Sequence, residues 1–259
     1  MLSEFRDRLL AGSAERRLLE QRLAVRRAPG LVKARVRART DSTQVLAAIR
    51  GMNRLERVIE PLRAALQALA AVVPAWVQAN IPVAWVARYG PRAEDYRLPQ
   101  EGTPRTAYAE RGGADGYRVR EARWSAATPC WLREIPVVEP LRQGWVQNFM
   151  AVAGSAPWRA PDTLPPASRY LNSPYEPEAR YSTKRGLTWL GYKVHGTETC
   201  DEALPHVITT VATPAATTGD NEALPALHET LAQVERLPST PVVDTGSVEA
   251  KRLVESRDD

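Results

Sequence analysis

The chain has 259 residues, 44% of them hydrophobic and 25% charged, and a formal net charge of +5, a composition that supports one large or two small globular cores and argues against a disordered chain. No apolar run approaches the roughly 18 residues a membrane helix needs, and Met1-Leu2-Ser3-Glu4-Phe5-Arg6 lacks the pattern of a signal peptide, so the expected location is cytoplasmic. Cys130 and Cys200 stand alone, without a CxxC or a Cys/His cluster, which speaks against a disulfide framework and against a zinc site.

Charge is distributed unevenly. Residues 1–40 hold eleven Lys/Arg against four acids, and residues 201–259 hold four against eleven. The basic stretch is dominated by arginine, whose guanidinium is permanently charged and grips phosphate oxygens in pairs, so nucleic acid is the natural partner, although charge alone fits a solvated basic helix face equally well.

In chain order, Phe5, Leu9, Leu10, Leu18, Leu19, Leu23 and Val25 among charges predict an amphipathic helix, interrupted near Gly12-Ser13 and ending before Pro29-Gly30. Residues 31–41 then alternate small or apolar with basic side chains, the period of a half-buried strand ending at Asp41-Ser42-Thr43. Val45, Leu46, Ile49, Met52, Leu55, Ile59, Leu62, Leu66 and Leu69 recur at helical spacing, with Pro61 expected to kink the helix or to start a new one.

From Pro74 to about Pro166, short helices are predicted near 75–88 and 131–150. Pro99–Pro104 and Arg111-Gly112-Gly113 read as punctuation between them. Trp76, Trp85, Trp124, Trp131 and Trp145 suit core anchors of a helical subdomain. The Pro-rich stretch 156–177 reads as a linker. Beyond it, 188–197 and 205–211 form a predicted hairpin, Asp220 caps a short helix, Pro241-Val242-Val243-Asp244 is a short strand, and a last helix is expected over 248–255.

Two predicted strands therefore end in aspartate, at Asp41 and Asp244. Where such strands neighbour one another, their carboxylates meet at one sheet edge and can hold Mg²⁺ through hard oxygen ligands, the arrangement that supports in-line phosphoryl transfer. Strand-end aspartates also commonly cap loops, and spacing alone does not separate the two readings.

Thr40-Asp41-Ser42-Thr43, then the stretch from Ser173-Pro174-Tyr175-Glu176 through Tyr181-Ser182-Thr183-Lys184-Arg185, then Gly191-Tyr192-Lys193-Val194-His195, then Asp244-Thr245-Gly246 follow one another in that order. Together they resemble the ordered motifs of bacterial insertion-sequence DDE transposases over nearly the whole chain. The resemblance implies an α/β fold, a partial RNase H-like mixed sheet with a large helical insertion between its first and second strands. In it, 1–30 would be a basic helical segment, 31–44 the first strand, 45–165 the insertion and 166–259 the rest of the core.

It further implies Asp41 and Asp244 as catalytic metal ligands for Mg²⁺ or Mn²⁺, and DNA, both element ends and target, as the partner. Homodimerisation stays open, and no small-molecule substrate is evident. Phosphate contacts fall to Arg35, Arg37 and Arg39 of the basic stretch and, by the resemblance, to Arg180, Lys184, Arg185 and Lys193, with Tyr192 and His195 nearby; a packed strand histidine is the plainer reading of His195.

Three departures stand out. Asp244-Thr245-Gly246-Ser247 lacks an aromatic that the family pattern carries, and Glu176-Pro177 stands where Asp-Pro is usual. The family's third acid lies farther beyond the second aspartate than this chain extends, so the chain is expected to be truncated at both ends. Glu249 and Glu255 are expected to be solvated. The implied activity is metal-dependent DNA cleavage and strand transfer; the alternative is a DNA-binding remnant without catalysis.

Overall fold

Residues 37–46 carry Thr40, Thr43 and Val45, β-branched side chains that favour a pleated backbone. In the computed structural model, which describes residues 14–27, 30, 33, 36–93, 97–136, 138–150, 152 and 155–244, they form β1 (Arg37–Leu46). The strand begins later than its alternation predicts and runs five residues past Asp41. Val45 and Leu46, counted above in a helical stripe, belong to the strand. Asp41 is thus an interior strand residue and not a strand end.

The fold is mixed α/β, with seven helices and a five-stranded mixed sheet among the described residues. The remaining strands are β2 (Arg180–Lys184), β3 (Leu187–Thr199), β4 (Ile208–Ala212) and β5 (Thr240–Val242). The sheet order is β2-β3-β1-β5, with β4 also paired to β3. β3 runs antiparallel to β2 and β4. Bonds from Cys200 N–H to Arg37 O and from Ala47 N–H to Leu190 O, each 2.9 Å, make β1 antiparallel to β3 as well. Only β5 is parallel to β1, with Arg37 opposite Thr240 and Arg39 opposite Val242.

The chain divides into two compact units. The first comprises Met1–Val45, Tyr192–Pro214 and Thr218–Asp259. Besides strands it contains helices α1 (Glu15–Arg27) and, last in chain order, Asp220–Gln233. α1 buries Leu23 against Val207. A two-pronged bond from Arg236 to Glu20, at 2.6 and 2.9 Å, fastens it to the chain after the last helix. The last helix starts behind Gly219, whose N–H donates to Glu222 Oε2 at 3.1 Å. Asp220 is therefore its first turn and not its cap.

The second unit comprises Leu46–Gly191 and Ala215–Thr217. Its helices are α2 (Glu56–Val72), α3 (Pro74–Asn80), α4 (Ala84–Tyr89), α5 (Gly102–Trp124) and α6 (Val138–Asn148), which leaves α7 for Asp220–Gln233. Asn53 starts α2: its Oδ1 accepts from the N–H groups of Leu55 and Glu56, and Glu56 Oε2 accepts from Asn53 N–H at 2.7 Å, a reciprocal cap. The helix continues across Pro61 without ending there.

α5, at 23 residues, overturns the reading of Arg111-Gly112-Gly113 as punctuation. A Cβ at Gly112, Gly113 or Gly116 would stand 2.6, 2.6 or 2.1 Å from Ile59, Phe149 or Trp145. The glycines are there because α2 and α6 press large side chains onto α5, and Trp145 Nε1 donates to Gly113 O at 2.7 Å. Trp85 and Trp145 are buried and Trp76 packs against the core, but Trp124 and Trp131 are 64% and 49% exposed and anchor nothing.

The stretch 156–177 is no free linker, since Ala156, Tyr170, Leu171, Asn172 and Ser173 are buried. Tyr175 donates to Glu60 Oε1 at 2.6 Å, beside the buried Arg63–Glu60 ion pair, and Glu60 Oε2 accepts from Ala93 N–H. The motif that follows forms a hairpin missed above: Arg185 (φ 53°) and Gly186 (φ 81°) turn β2 into β3, the positive-φ pair a two-residue loop requires.

Candidate metal and nucleic-acid site

Period two places Arg37, Arg39, Asp41 and Thr43 on one face of β1, and the parallel register carries that face onto β5. Arg39 stands opposite Val242; two residues further along each chain come Asp41 and Asp244. Neighbouring strands lie about 4.8 Å apart. Both aspartates line one small pocket with Thr40, Ser42, His195, Asp220 and Leu224, a space of about 10 Å³, enough for about one water-sized sphere. Both aspartates nominated from the sequence thus border one small space, through a β1–β5 pairing that the sequence only hinted at.

Asp41 Oδ1 accepts from Ser42 N–H at 2.7 Å, which fixes its rotation. Behind it, Thr40 Oγ1 and Thr197 Oγ1 share a 2.8 Å bond across the β1–β3 pair. Asp220, read from sequence only as a helix start, is the residue that reasoning missed. It sits in the first turn of α7, where a carboxylate favours the positive end of the helix dipole, and Lys193 Nζ lies 3.3 Å from its Oδ1. His195 is buried, with Nε2 3.9 Å from the same oxygen. No sequence signal separated Asp220 from an ordinary cap; its place facing Lys193 depends on β3 lying beside α7.

The oxygen-rich set fits a hard divalent cation. Mg²⁺ typically takes one or two protein carboxylates and fills its remaining positions with water or substrate phosphate. Among the described residues, no group of three His, Cys, Asp or Glu is arranged to hold a metal ion.

The basic residues divide. Arg37 and Arg39 are exposed on the face of Asp41, and Arg39 pairs with Glu198 on β3. Arg35 lies outside the described residues, as do Thr245, Gly246, Glu249 and the expected helix over 248–255. The Lys193 ammonium donates to Thr218 O at 2.7 Å and its side chain is 12% exposed, so it is turned to α7 and not outward to a phosphate. Arg180, Lys184 and Arg185 belong to the second unit. Arg180 donates to the carbonyls of Ser168, Pro177 and Ala179, which is a loop-fastening role, and Arg185 stands exposed at the hairpin tip.

On the same face, Arg39, Asp41, Thr43, Val194, Gly196, Glu198, Ile208 and Val211 line an open groove of about 300 Å³. Gly196 adds no side chain in front of β1, so the groove floor stays open beside Asp41. No protein-family model, curated protein or solved structure matches this chain. No helix among the described residues is long and apolar enough to cross a membrane.

Proposed function

We propose that the chain acts in DNA transposition, with an RNase H-like core that cleaves phosphodiester bonds and transfers strands in the manner of the DDE transposases its motifs resemble. One observation carries the reading: Asp41 on β1 and Asp244 just beyond the parallel strand β5 line one pocket. Further support comes from the order β4-β3-β1-β5, with α7 connecting the last antiparallel strand to the parallel one. Mg²⁺ or Mn²⁺ held by the two aspartates would supply Lewis-acid stabilisation of the phosphoryl oxygens and activation of a water or 3′-hydroxyl.

The chain's own residues do the rest. Arg37 and Arg39 offer guanidinium groups to the DNA backbone on the carboxylate face. The Lys193–Asp220 pair sets a neutralised carboxylate behind that site, which lowers the repulsion between three acids lining one pocket.

The test is cleavage of labelled duplex DNA carrying the sequence that flanks the gene, with Mg²⁺ or Mn²⁺ present. Nicking should fall to the buffer background in Asp41→Asn and in Asp244→Asn while DNA binding persists. Cleavage that survives either change rejects the assignment. A second reading, DNA binding without catalysis, is favoured by the two-carboxylate ligand set; wild-type protein that binds the same DNA with a steep salt dependence but never nicks it would select that reading.

A further inference from the structure

The C-terminal end of α5 and the segment that follows it build a second basic surface, wholly inside the helical unit. Arg120, Arg123 and Arg133 lie together around a groove of about 310 Å³, with Trp124 on its wall, a volume in the range of small-ligand sites. Four arginines and two glutamates line the groove. Glu139 is spent on Arg142, which it grips at 2.6 and 2.8 Å. Among the described residues, no carboxylate forms an ion pair with Arg120, Arg123 or Arg133.

Two of the guanidiniums have separate tasks. Arg123 is buried and donates to the carbonyls of Leu132 and Arg133, so it holds the turn in place. Burial first, and after it the charges of Arg120 and Arg133, push the Arg123 pKa down. The Arg133 guanidinium lies 4.6 Å over the Trp124 ring. Yet Trp124 remains 64% exposed. One side of the indole is thus covered by a cation while much of the ring stays open to solvent.

We propose that this groove binds single-stranded nucleic acid, with a base stacked on the open face of Trp124 and the adjoining phosphate held by Arg120 and Arg133. An exposed indole beside guanidiniums that no carboxylate neutralises is the combination that non-sequence-specific single-strand sites use, since every base has a π-face and every nucleotide a phosphate. A duplex offers neither an unstacked base nor a profile that enters a groove of this size. The site requires no metal and no Asp41, so it stands or falls apart from the cleavage chemistry.

The experiment measures binding of the full chain to fluorescein-labelled oligothymidylate and to a duplex of equal length, in EDTA, by anisotropy. Trp124→Ala is expected to weaken oligothymidylate binding about tenfold, as loss of one stacked base does, and to leave duplex binding within about twofold. Arg120→Glu should lower the salt slope for the single strand by about one unit. Trp124→Phe, which keeps an aromatic face, should recover most of the affinity. Photo-crosslinking of wild-type protein to an oligonucleotide carrying 5-iodouracil should modify Trp124, identified by peptide mass. Equal loss on single strand and duplex, unchanged affinity in a folded Trp124→Ala protein, or crosslinks that never include the 120–133 segment would overturn the proposal.

Discussion

Glu60 holds a negative charge where water hardly reaches; it is 3% exposed and its partner Arg63 6%. Burial alone would raise its carboxyl pKa, but the bonds from Arg63 and Tyr175 and from the Ala93 N–H outweigh burial and hold it below the ordinary value of 4.5. A carboxyl lowered on folding contributes stability that is whole above its unfolded value and lost as the pH falls through the folded one. Glu60→Gln keeps the shape and removes the charge, leaving Arg63 buried without its counterion, and should cost about 3–5 kcal/mol at neutral pH. Urea denaturation at neutral pH and below pH 4 checks this: the gap between wild type and variant should be large in the first and shrink in the second. An equal gap at both would remove the charge from the explanation. Asp41 and Asp244 were legible at this scale because each follows an alternating or β-branched run. Asp220 was not, since an acid in the first turn of a helix is ordinary and only the position of Lys193 makes it more.

Among the elements, α5 is the one whose sequence misleads most. Three glycines within five residues lower helix propensity by roughly 1 kcal/mol each, and a reader of the sequence alone has reason to break the chain there. What overrules propensity is the close approach of Ile59, Phe149 and Trp145, each occupying the space a side chain would need. Gly116→Ala should therefore destabilise the protein by about 1–3 kcal/mol through overpacking, although alanine is the better helix former. Thermal unfolding of the variant decides between the two effects, and a higher midpoint than wild type would mean that the contact with Trp145 is not tight. The same limit explains β1. Val45 and Leu46 fit a helical stripe as well as they fit a strand, and only the bond between Ala47 N–H and Leu190 O, formed with a strand far away in sequence, settles the matter. β2 was hidden for another reason: Arg185-Gly186 is a two-residue turn whose first member is not one of the usual turn formers.

For the molecule as a whole, the division into two units is a statement about where the core lies. The helical unit has its own continuous apolar core, from Leu55 through Trp145 to Ala156, and should fold by itself. Residues 46–191 expressed alone are expected to unfold in one cooperative thermal transition with a helical circular dichroism spectrum; a gradual, midpoint-free loss of signal would show that the unit needs the rest of the chain. The placement of that unit was readable from the helical spacing, whereas its extent was not. Its far boundary lies within β3, a single unbroken strand to any reading of the sequence.

The bond between Ala47 and Leu190 joins the two ends of the inserted unit. An unstructured excursion of roughly 140 residues would tax the pairing of β1 with β3 by about 4 kcal/mol in closure entropy. A folded insert whose entrance and exit already touch removes that penalty before the strands meet. Loosening the insert from within, at Gly116 or Glu60, should then weaken the pairing of β1 with β3 through chain connectivity alone.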